Sequence, residues 1–254
     1  MEQPRLYVIL GSHACRTGML LVEHKGIDYR RVELPTGLHP FAVRALGFAG
    51  NREPLRHVDG RRPPMLATSD RMGTVPALRL DGQRVQTNRA IARFLDELRP
   101  DPPLFPADPD RRAVVGEAER WGDEELQMVA RRLALAAAVH GPDALEHRAD
   151  EGRLGPLLFH HTTVRRAAVR FIGRFVFDAN TGAEERLTAQ LPSMLDRVDT
   201  WIADGVLNGE QLNAADYMIA PSLALLWYVR ALRPQLEQRP LVALVDRVLP
   251  DPTA

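Results

Sequence analysis

The 254 residues are 45% hydrophobic, enough to bury a full core, and 33 Lys and Arg residues balance 33 Asp and Glu residues. A formal net charge of zero provides no overall field that would hold the protein on nucleic acid or an acidic membrane, so the expected partner is a small molecule or another protein. The longest unbroken apolar run, 133–139, is too short to span a bilayer, and residues 1–5 lead into a strand without a signal peptide. These features predict a cytoplasmic protein.

Cysteine and histidine usage argues against disulfide and metal chemistry. Cys15 is the single cysteine, so no internal disulfide can form, which agrees with a cytoplasmic location. His160 and His161 are adjacent, and neighbouring side chains on a helix point in different directions. No paired cysteines and no HExxH spacing accompany them, so we expect no metal site.

The first third of the chain alternates between strand and helix patterns. Hydrophobic periodicity and turn residues predict strands over 5–10, 29–34, 75–80 and 84–86, and helices over 15–25 and 88–98. Asp81-Gly82 joins the last two strands as a hairpin turn. The segment 35–71 is rich in Gly, Pro and Arg, which predicts a long loop with one short helix. This order predicts a small mixed sheet, an α/β arrangement of the thioredoxin-like type, over residues 1–99.

The remainder of the chain reads as helical. A proline-rich segment, 100–110, cannot continue a helix and is interpreted as a linker. Beyond it, residues 111–254 are predicted to form an all-helical domain. Apolar residues recur at helical spacing over 164–175 and 187–202, and the second stripe contains Pro192 as an expected kink. These stripes are interpreted as core.

Three separated motifs carry a family resemblance. They are Gly11-Ser12-His13-Ala14-Cys15-Arg16 after the first strand, Gly73-Thr74-Val75-Pro76-Ala77-Leu78 at the third, and Leu212-Asn213-Ala214-Ala215-Asp216-Tyr217 in the rear half. With them the chain resembles the glutathione S-transferase superfamily over its whole length. The first motif looks like the S-x-x-C variant of the thioredoxin C-x-x-C site, as in the zeta-like and omega-like classes. The resemblance implies a thioredoxin-like domain followed by an all-α domain, and a homodimer.

Ser12 is the catalytic residue that the resemblance implies. Free amides and the macrodipole at the start of a helix favour a thiolate, and the Ser12 hydroxyl would donate a hydrogen bond that lowers the pKa of that thiol. The alternative is that Ser12 only caps the helix. Cys15 is a second catalytic candidate, because a thiol at a helix N-terminus can be acidified. By the family spacing, Cys15 matches the second, more buried cysteine of C-x-x-C.

Glutathione, as a cosubstrate, is the ligand that the resemblance implies. Its expected contacts are Ser12, His13, Val75, Pro76, Thr87 and Asn88. In the family the Val-Pro bond is cis, which lets Val75 offer its backbone N–H and C=O to an extended peptide. Thr87-Asn88 replaces the Glu-Ser of most members, so the ammonium group of glutathione loses a charged partner. Asn213 and Asp216 are expected to cap a buried helix.

The expected function is that of an enzyme that binds glutathione or a related thiol and conjugates it to, or reduces, a hydrophobic electrophile. A helix over 111–138 would line the electrophile's pocket or simply pack, through Trp121, Met128, Arg131 and Arg132. Arginines of the 35–71 loop would clamp a substrate carboxylate or form a solvated basic surface. Two other functions stay open. One is a non-catalytic ligand-binding or regulatory protein, favoured by Thr87-Asn88, and the other is a monothiol reductase that uses Cys15.

Overall fold

The computed structural model describes residues 2–9, 11–50, 73–140, 144, 154 and 181–250. The apolar stripe expected over 164–175 lies outside the described residues, as do residues 51–71 of the expected arginine-rich loop. The described part contains one mixed sheet near the N-terminus, with helices around and after it.

A four-stranded sheet forms the centre of the N-terminal domain. Its strands are β1 Arg5–Val8, β2 Arg30–Glu33, β3 Ala77–Leu80 and β4 Gln83–Gln86, in the order β2-β1-β3-β4. β1 pairs in parallel with β2 and antiparallel with β3, which in turn pairs antiparallel with β4. Asp81 and Gly82 both have positive φ angles, 49° and 78°, as a two-residue hairpin of type I′ requires. The predicted hairpin is therefore confirmed.

The described helices of this domain are α1 His13–His24, α2 His39–Ala45 and α3 Asn88–Leu98. The helix α1 begins two residues earlier than predicted, because Ser12 has an extended backbone and its side chain caps the first turn. It packs against α3 and lies close to the chain that enters β3. Gly18 makes this approach possible, since a Cβ at that position would lie 2.7 Å from Pro76 Cγ.

The helical region begins with α4 Pro109–Trp121, whose first turn is capped by Asp108. A short π-helical segment, Gly122–Leu126, leads directly into α5 Gln127–His140. The single helix expected over 111–138 is therefore two α-helices joined through a wider turn. The later helices are α6 Thr181–Ala203, which contains Pro192, α7 Ala214–Trp227, α8 Arg233–Leu236 and α9 Leu241–Val248.

Helix α7 is the centre of the helical region. All residues from Ala214 to Leu226 are buried, and the helix contacts α1, α4, α5 and α9. Its N-terminus carries the predicted capping box, in which the Asp216 carboxylate accepts the Asn213 N–H at 2.8 Å. Because α7 packs on α1, the cores of the two parts form one hydrophobic cluster. Among the described residues, no helix combines the length and the hydropathy needed to cross a bilayer.

Candidate functional site

Ser12 lies at the N-terminus of α1, just after the chain leaves β1. Its Oγ accepts the backbone N–H of Cys15 at 3.3 Å, and its carbonyl oxygen accepts the Arg16 N–H at 2.9 Å. The residue is half-buried. A hydroxyl group both accepts and donates hydrogen bonds, and the cap uses only the accepting oxygen. The structure therefore shows the cap, and the Ser12 hydroxyl also hydrogen-bonds the Cys15 thiol.

Cys15 lies inside the domain and not at its surface. It is 2% exposed, and its Sγ accepts the Ile9 N–H at 3.5 Å. Burial raises the pKa of the Cys15 thiol, and this outweighs the hydrogen bonds from Ser12 and Ile9 and the charge of Arg131, which lower it. Reactive cysteines have a lowered thiol pKa and contact with solvent. The surroundings of Cys15 are those of a packed side chain.

The His13 side chain joins α1 to α5. It is 3% exposed, and its Nε2 lies 3.2 Å from the Gln127 carbonyl oxygen. Burial, together with the positive charge of Arg131, lowers the pKa of His13 to about 3. The ring is therefore neutral at physiological pH, and its Nε2–H donates to the carbonyl. His13, which we expected to bind the thiol, is turned toward the helical region.

Arg131 brings a positive charge to this junction. It follows Gln127 by one turn of α5, and its guanidinium donates to Gln127 Oε1 at 3.2 Å. Burial lowers the pKa of Arg131 to about 10, so the group remains charged at neutral pH. Its charge acts on His13 and Cys15 of α1 and on His39 at the start of α2.

We call the group of residues around Arg131 the cationic cluster, and its members are Ser12, His13, His39, Gln127 and Arg131. The sequence indicates Arg131 only as one of four candidates for the electrophile's pocket. It does not indicate Gln127 or His39 as site residues. The i, i+4 spacing of Asp123, Gln127 and Arg131 was a usable signal, since it places the three side chains on one face. Nothing in the sequence indicated that this face meets the start of α1.

The Val75-Pro76 peptide bond is cis, as the resemblance implies. Val75 precedes Ala77, the first residue of β3 that pairs with Tyr7 and Gln86. Its backbone therefore lies just beyond the end of the strand ladder. Pro76 packs against Gly18 of α1, so this segment adjoins the same helix that Ser12 caps.

Thr87 and Asn88 both make hydrogen bonds within the protein. Thr87 has a φ of 71°, and its Oγ1 accepts the Ala90 N–H at 3.3 Å, which caps α3. Asn88 is 3% exposed, and its Nδ2 donates to the Ala14 carbonyl oxygen at 2.9 Å. The amide of Asn88 thus fixes α3 to α1. Neither side chain supplies the negative charge that an ammonium group would prefer.

Two of the expected pocket residues, Trp121 and Met128, lie in the core. Trp121 and Met128 are 3% and 5% exposed, and Trp121 packs edge-to-face on Trp201 with ring centroids 5.2 Å apart. These two residues are core. A cavity of about 600 Å³ lies away from Ser12, between the linker at Phe105 and the connection from α6 to α7. Within the described ranges, no His, Cys, Asp and Glu side chains are grouped in threes or more to hold a metal ion.

Comparisons with known proteins agree with this architecture. The family model described as glutathione S-transferase, N-terminal domain, matches residues 6–103. A maleylacetoacetate isomerase of Rattus norvegicus is 46% identical over 48 residues, which is 19% of this chain and 22% of that protein. The matched segment is thus a small part of that curated relative.

Solved structures resemble the chain over its whole length. Glutathione transferase GSTFuA2 from Phanerochaete chrysosporium has a TM-score of 0.66 at 17% identity, covering 98% of this chain and 97% of that one. Glutathione S-transferase CsGST63524 of Ceriporiopsis subvermispora, solved in complex with glutathione, has a TM-score of 0.60 at 17% identity, covering 97% and 98%. At this identity the two structures establish the fold.

The fold is thus a thioredoxin-like domain, with a mixed four-stranded sheet, followed by a helical region that packs on it through α7. The family match falls on the domain that holds Ser12 and the cis Val75-Pro76 bond. Residues 6–103 are thus similar to the N-terminal domain of glutathione S-transferases, and the described part of the chain has the fold of the solved glutathione S-transferase structures.

Proposed function

We propose that the protein is a glutathione-dependent transferase that activates the thiol in front of α1 and joins it to an apolar electrophile. The geometry of Ser12 carries this proposal. Its hydroxyl caps the N-terminus of α1, which favours negative charge, and it would turn its proton from the neutral Cys15 thiol to a ligand thiolate, the stronger acceptor. The match of residues 6–103 to the glutathione S-transferase N-terminal domain and the similar structure solved in complex with glutathione support the choice of thiol.

The residues around Ser12 favour a thiolate over a thiol. The first-turn amides of α1 and the guanidinium of Arg131 both place positive charge at this point, since Arg131 acts on His13 and Cys15. The proton leaves the thiol for water, and the Ser12 hydroxyl donates to the resulting anion. The sulfur then forms a bond to an electrophilic carbon, and the leaving group departs with the electron pair of its broken bond.

The peptide backbone of glutathione would lie along Val75. This residue comes before the first paired residue of β3 and adjoins α1. The γ-glutamyl end would meet the start of α3 at Thr87, where neither Thr87 nor the buried Asn88 offers a charge. We therefore expect weak discrimination at that end. Glutathione and cysteinylglycine, which lacks the γ-glutamyl group, should differ in kcat/KM by less than about tenfold once corrected for thiol pKa.

Ser12→Ala and Ser12→Thr test the proposed role. A hydrogen bond to a charged group contributes about 1.5–3 kcal/mol, so Ser12→Ala should lower kcat/KM about 10- to 100-fold and raise the pKa of the bound thiol. Ser12→Thr keeps both the cap and the O–H donor and should retain most of the activity. Melting temperatures control for the lost cap, which costs about 1 kcal/mol. Equal activity of wild type and Ser12→Ala would exclude this function for Ser12.

A second candidate is a non-catalytic binding protein of the same fold. The observation that favours it is the Asn88 amide, which bonds to the Ala14 carbonyl oxygen instead of facing a ligand. Binding of glutathione is measured by retention on immobilised glutathione and by heat stabilisation in millimolar glutathione. Binding together with turnover of an electrophile would support the enzyme. Binding without turnover would favour the second candidate. A cytoplasmic homodimer stays a prediction, which size-exclusion chromatography and fractionation would test.

A further inference from the structure

The cavity of about 600 Å³ is lined by three segments of the chain. They are linker residues 103–106, the first two turns of α4, and the connection 204–213 between α6 and α7. We call it the linker cavity. Its volume falls within the range of about 300–1,000 Å³ that is usual for small-molecule sites. None of its described lining residues belongs to α1, so the linker cavity is separate from the site at Ser12.

Hydrogen bonds fix the walls of the linker cavity. Leu104 donates its N–H to Asp96 Oδ1 at 2.7 Å, and its carbonyl oxygen accepts the Ala214 N–H at 2.9 Å. The Asn213 side chain, which caps α7, donates to the Val206 carbonyl oxygen at 2.9 Å. The linker and the 204–213 connection are therefore in place before a ligand binds, which reduces the conformational cost of binding.

Apolar side chains form much of the lining. Leu104, Phe105 and Val115 are 0%, 5% and 3% exposed. Val114 lines the same cavity and is 40% exposed, so water covers an apolar surface there. Displacing water from apolar surface in a concave site is favourable. The lining therefore suits a ligand with an apolar body, such as an aromatic ring.

The charged residues of the lining are exposed and unequal in sign. Asp110, Asp204 and Glu210 carry carboxylates, whereas Arg111 is the one arginine of the lining. Among the described residues, none of these four side chains has an ion-pair partner. The lining therefore carries an excess of negative charge, and charge complementarity favours a cationic ligand.

Asp204 occupies a position that disfavours a carboxylate. It directly follows α6, and its N–H donates to the Thr200 carbonyl oxygen at 2.9 Å, so it ends the helix. The C-terminal end of a helix carries partial negative charge, which repels an anionic side chain. Glu210 differs, because Arg247 donates to its backbone carbonyl oxygen at 2.7 Å and brings positive charge near it. Asp204 is therefore the carboxylate that a bound cation would stabilise most.

We infer that the linker cavity binds an amphiphilic amine, with its apolar body against Phe105 and Val114 and its ammonium group at Asp204. This is a second binding function, and it does not depend on thiol transfer at Ser12. An ammonium group has three N–H donors and no acceptor, which matches carboxylate and carbonyl oxygens. The bound amine contacts both the linker and the 204–213 connection, and it stabilises the folded protein through that contact.

Calorimetry with three ligands that share one apolar body tests the inference. Phenylbutylamine, phenylbutanol and phenylbutanoate are cationic, neutral and anionic at neutral pH. We expect wild type to bind the amine about three- to tenfold more tightly than the alcohol, because an ion pair at an exposed carboxylate contributes modestly, and to bind the carboxylate most weakly. Asp204→Asn should lose most of the preference for the amine over the alcohol. Asp204→Lys reverses the local charge and should favour phenylbutanoate over the amine.

Three control variants separate this site from general effects of charge. Glu117→Gln removes a carboxylate of α4 that is 51% exposed and outside the lining, and it should keep the wild-type preference. Val114→Ser removes apolar surface and should weaken the amine and the alcohol alike. Ser12→Ala should bind the amine as wild type does, so this result is independent of whether the protein transfers a thiol.

Melting temperatures give a second measurement. Without ligand, Asp204→Asn should melt about 1–4 °C above wild type, because it removes negative charge from the end of α6. A lower melting temperature would assign the carboxylate a structural role and count against the inference. Three results would overturn it: equal affinity of wild type for the amine and the alcohol, unchanged amine affinity in Asp204→Asn, or no heat of amine binding at millimolar concentration.

Discussion

The guanidinium of Arg93 on α3 holds the carboxylate of Glu119 on α4 through two hydrogen bonds, of 2.9 Å and 2.7 Å. Glu119 has a side chain with 0% exposure, whereas that of Arg93 is 42% exposed. Burial raises the pKa of Glu119, while the hydrogen bond and charge of Arg93 lower it. Arg89 adds a longer contact of 3.8 Å to the same carboxylate. The pair joins the N-terminal domain to the helical region.

The two members of this pair should respond unequally to substitution. Arg93→Met leaves a buried carboxylate without its main partner, which costs about 3 kcal/mol of unfolding free energy, at the low end for a broken buried pair because Arg89 remains. Glu119→Gln leaves an arginine that water can reach, and should cost about 1–2 kcal/mol. Denaturant unfolding measures both. A larger loss in Glu119→Gln than in Arg93→Met would contradict the proposed asymmetry.

Lys25, the single lysine of the chain, joins the end of α1 to α3 and to the segment after it. Its side chain is fully buried, and Nζ donates to Asp96 Oδ1 at 2.9 Å and to the carbonyls of Arg99 and Pro102 at 2.6 Å each. Lys25→Met should lower the unfolding free energy by about 3–5 kcal/mol, because three acceptors lose their donor.

Arg31→Met is the matched control for Lys25→Met, since the ion pair of Arg31 with Glu33 is exposed and should contribute less than about 1 kcal/mol. Amine labelling gives an independent measurement. An acylating reagent should leave the Lys25 peptide unmodified in the folded protein and modify it after denaturation. Rapid labelling of Lys25 in the native state would show that the amine is accessible to solvent.

Local sequence signals predicted those parts of the fold that depend on neighbouring residues. The hairpin at Asp81-Gly82 and the helix over 88–98 follow from turn chemistry and from apolar spacing within a few residues. The capping box of Asn213 and Asp216 likewise depends on two residues that are three positions apart in the sequence. The start of α1 was predicted two residues late, because the apolar pattern begins at Cys15 while the cap is already Ser12.

Contacts between residues far apart in the sequence could not be predicted in this way. His13 meets Gln127 across 114 positions of sequence, and Lys25 meets Pro102 across 77. Such pairs depend on how α7 packs α1 against the helical region, which no local pattern specifies. The helix cap at Ser12 was predictable because it depends only on the residues of one helix terminus. The charge that Arg131 adds there was not, because it comes from a helix that begins more than a hundred residues later.

Cys15 should be inert toward thiol reagents in the folded protein. Burial raises the pKa of its thiol and limits access, so a disulfide reagent should react only after denaturation and then modify one thiol per chain. Cys15→Ala should therefore retain thiol-transfer activity, with a stability loss of about 1–2 kcal/mol from the smaller side chain. Fast modification of native Cys15, together with loss of activity in Cys15→Ala, would instead support the monothiol reductase.

The neutral state of His13 makes stability depend on pH. Burial lowers the pKa of His13 from 6.5 to about 3, so below pH 6.5 the unfolded chain binds a proton that the folded chain excludes. Stability must therefore fall as the pH falls. For this single group the loss between pH 7 and pH 5 is about 2 kcal/mol, from 1.36 kcal/mol per pH unit below the unfolded pKa.

His13→Gln isolates this contribution. Glutamine does not titrate, and its amide can still donate to the Gln127 carbonyl oxygen, so the variant should lose about 2 kcal/mol less than wild type between pH 7 and pH 5. The acid sensitivity that His39 contributes remains in both proteins and cancels in the comparison. The measurement is urea unfolding at half-unit steps of pH. If the unfolding free energies of wild type and His13→Gln changed in parallel with pH, the folded protein would accept a proton at His13. The imidazole would then not be buried between α1 and α5.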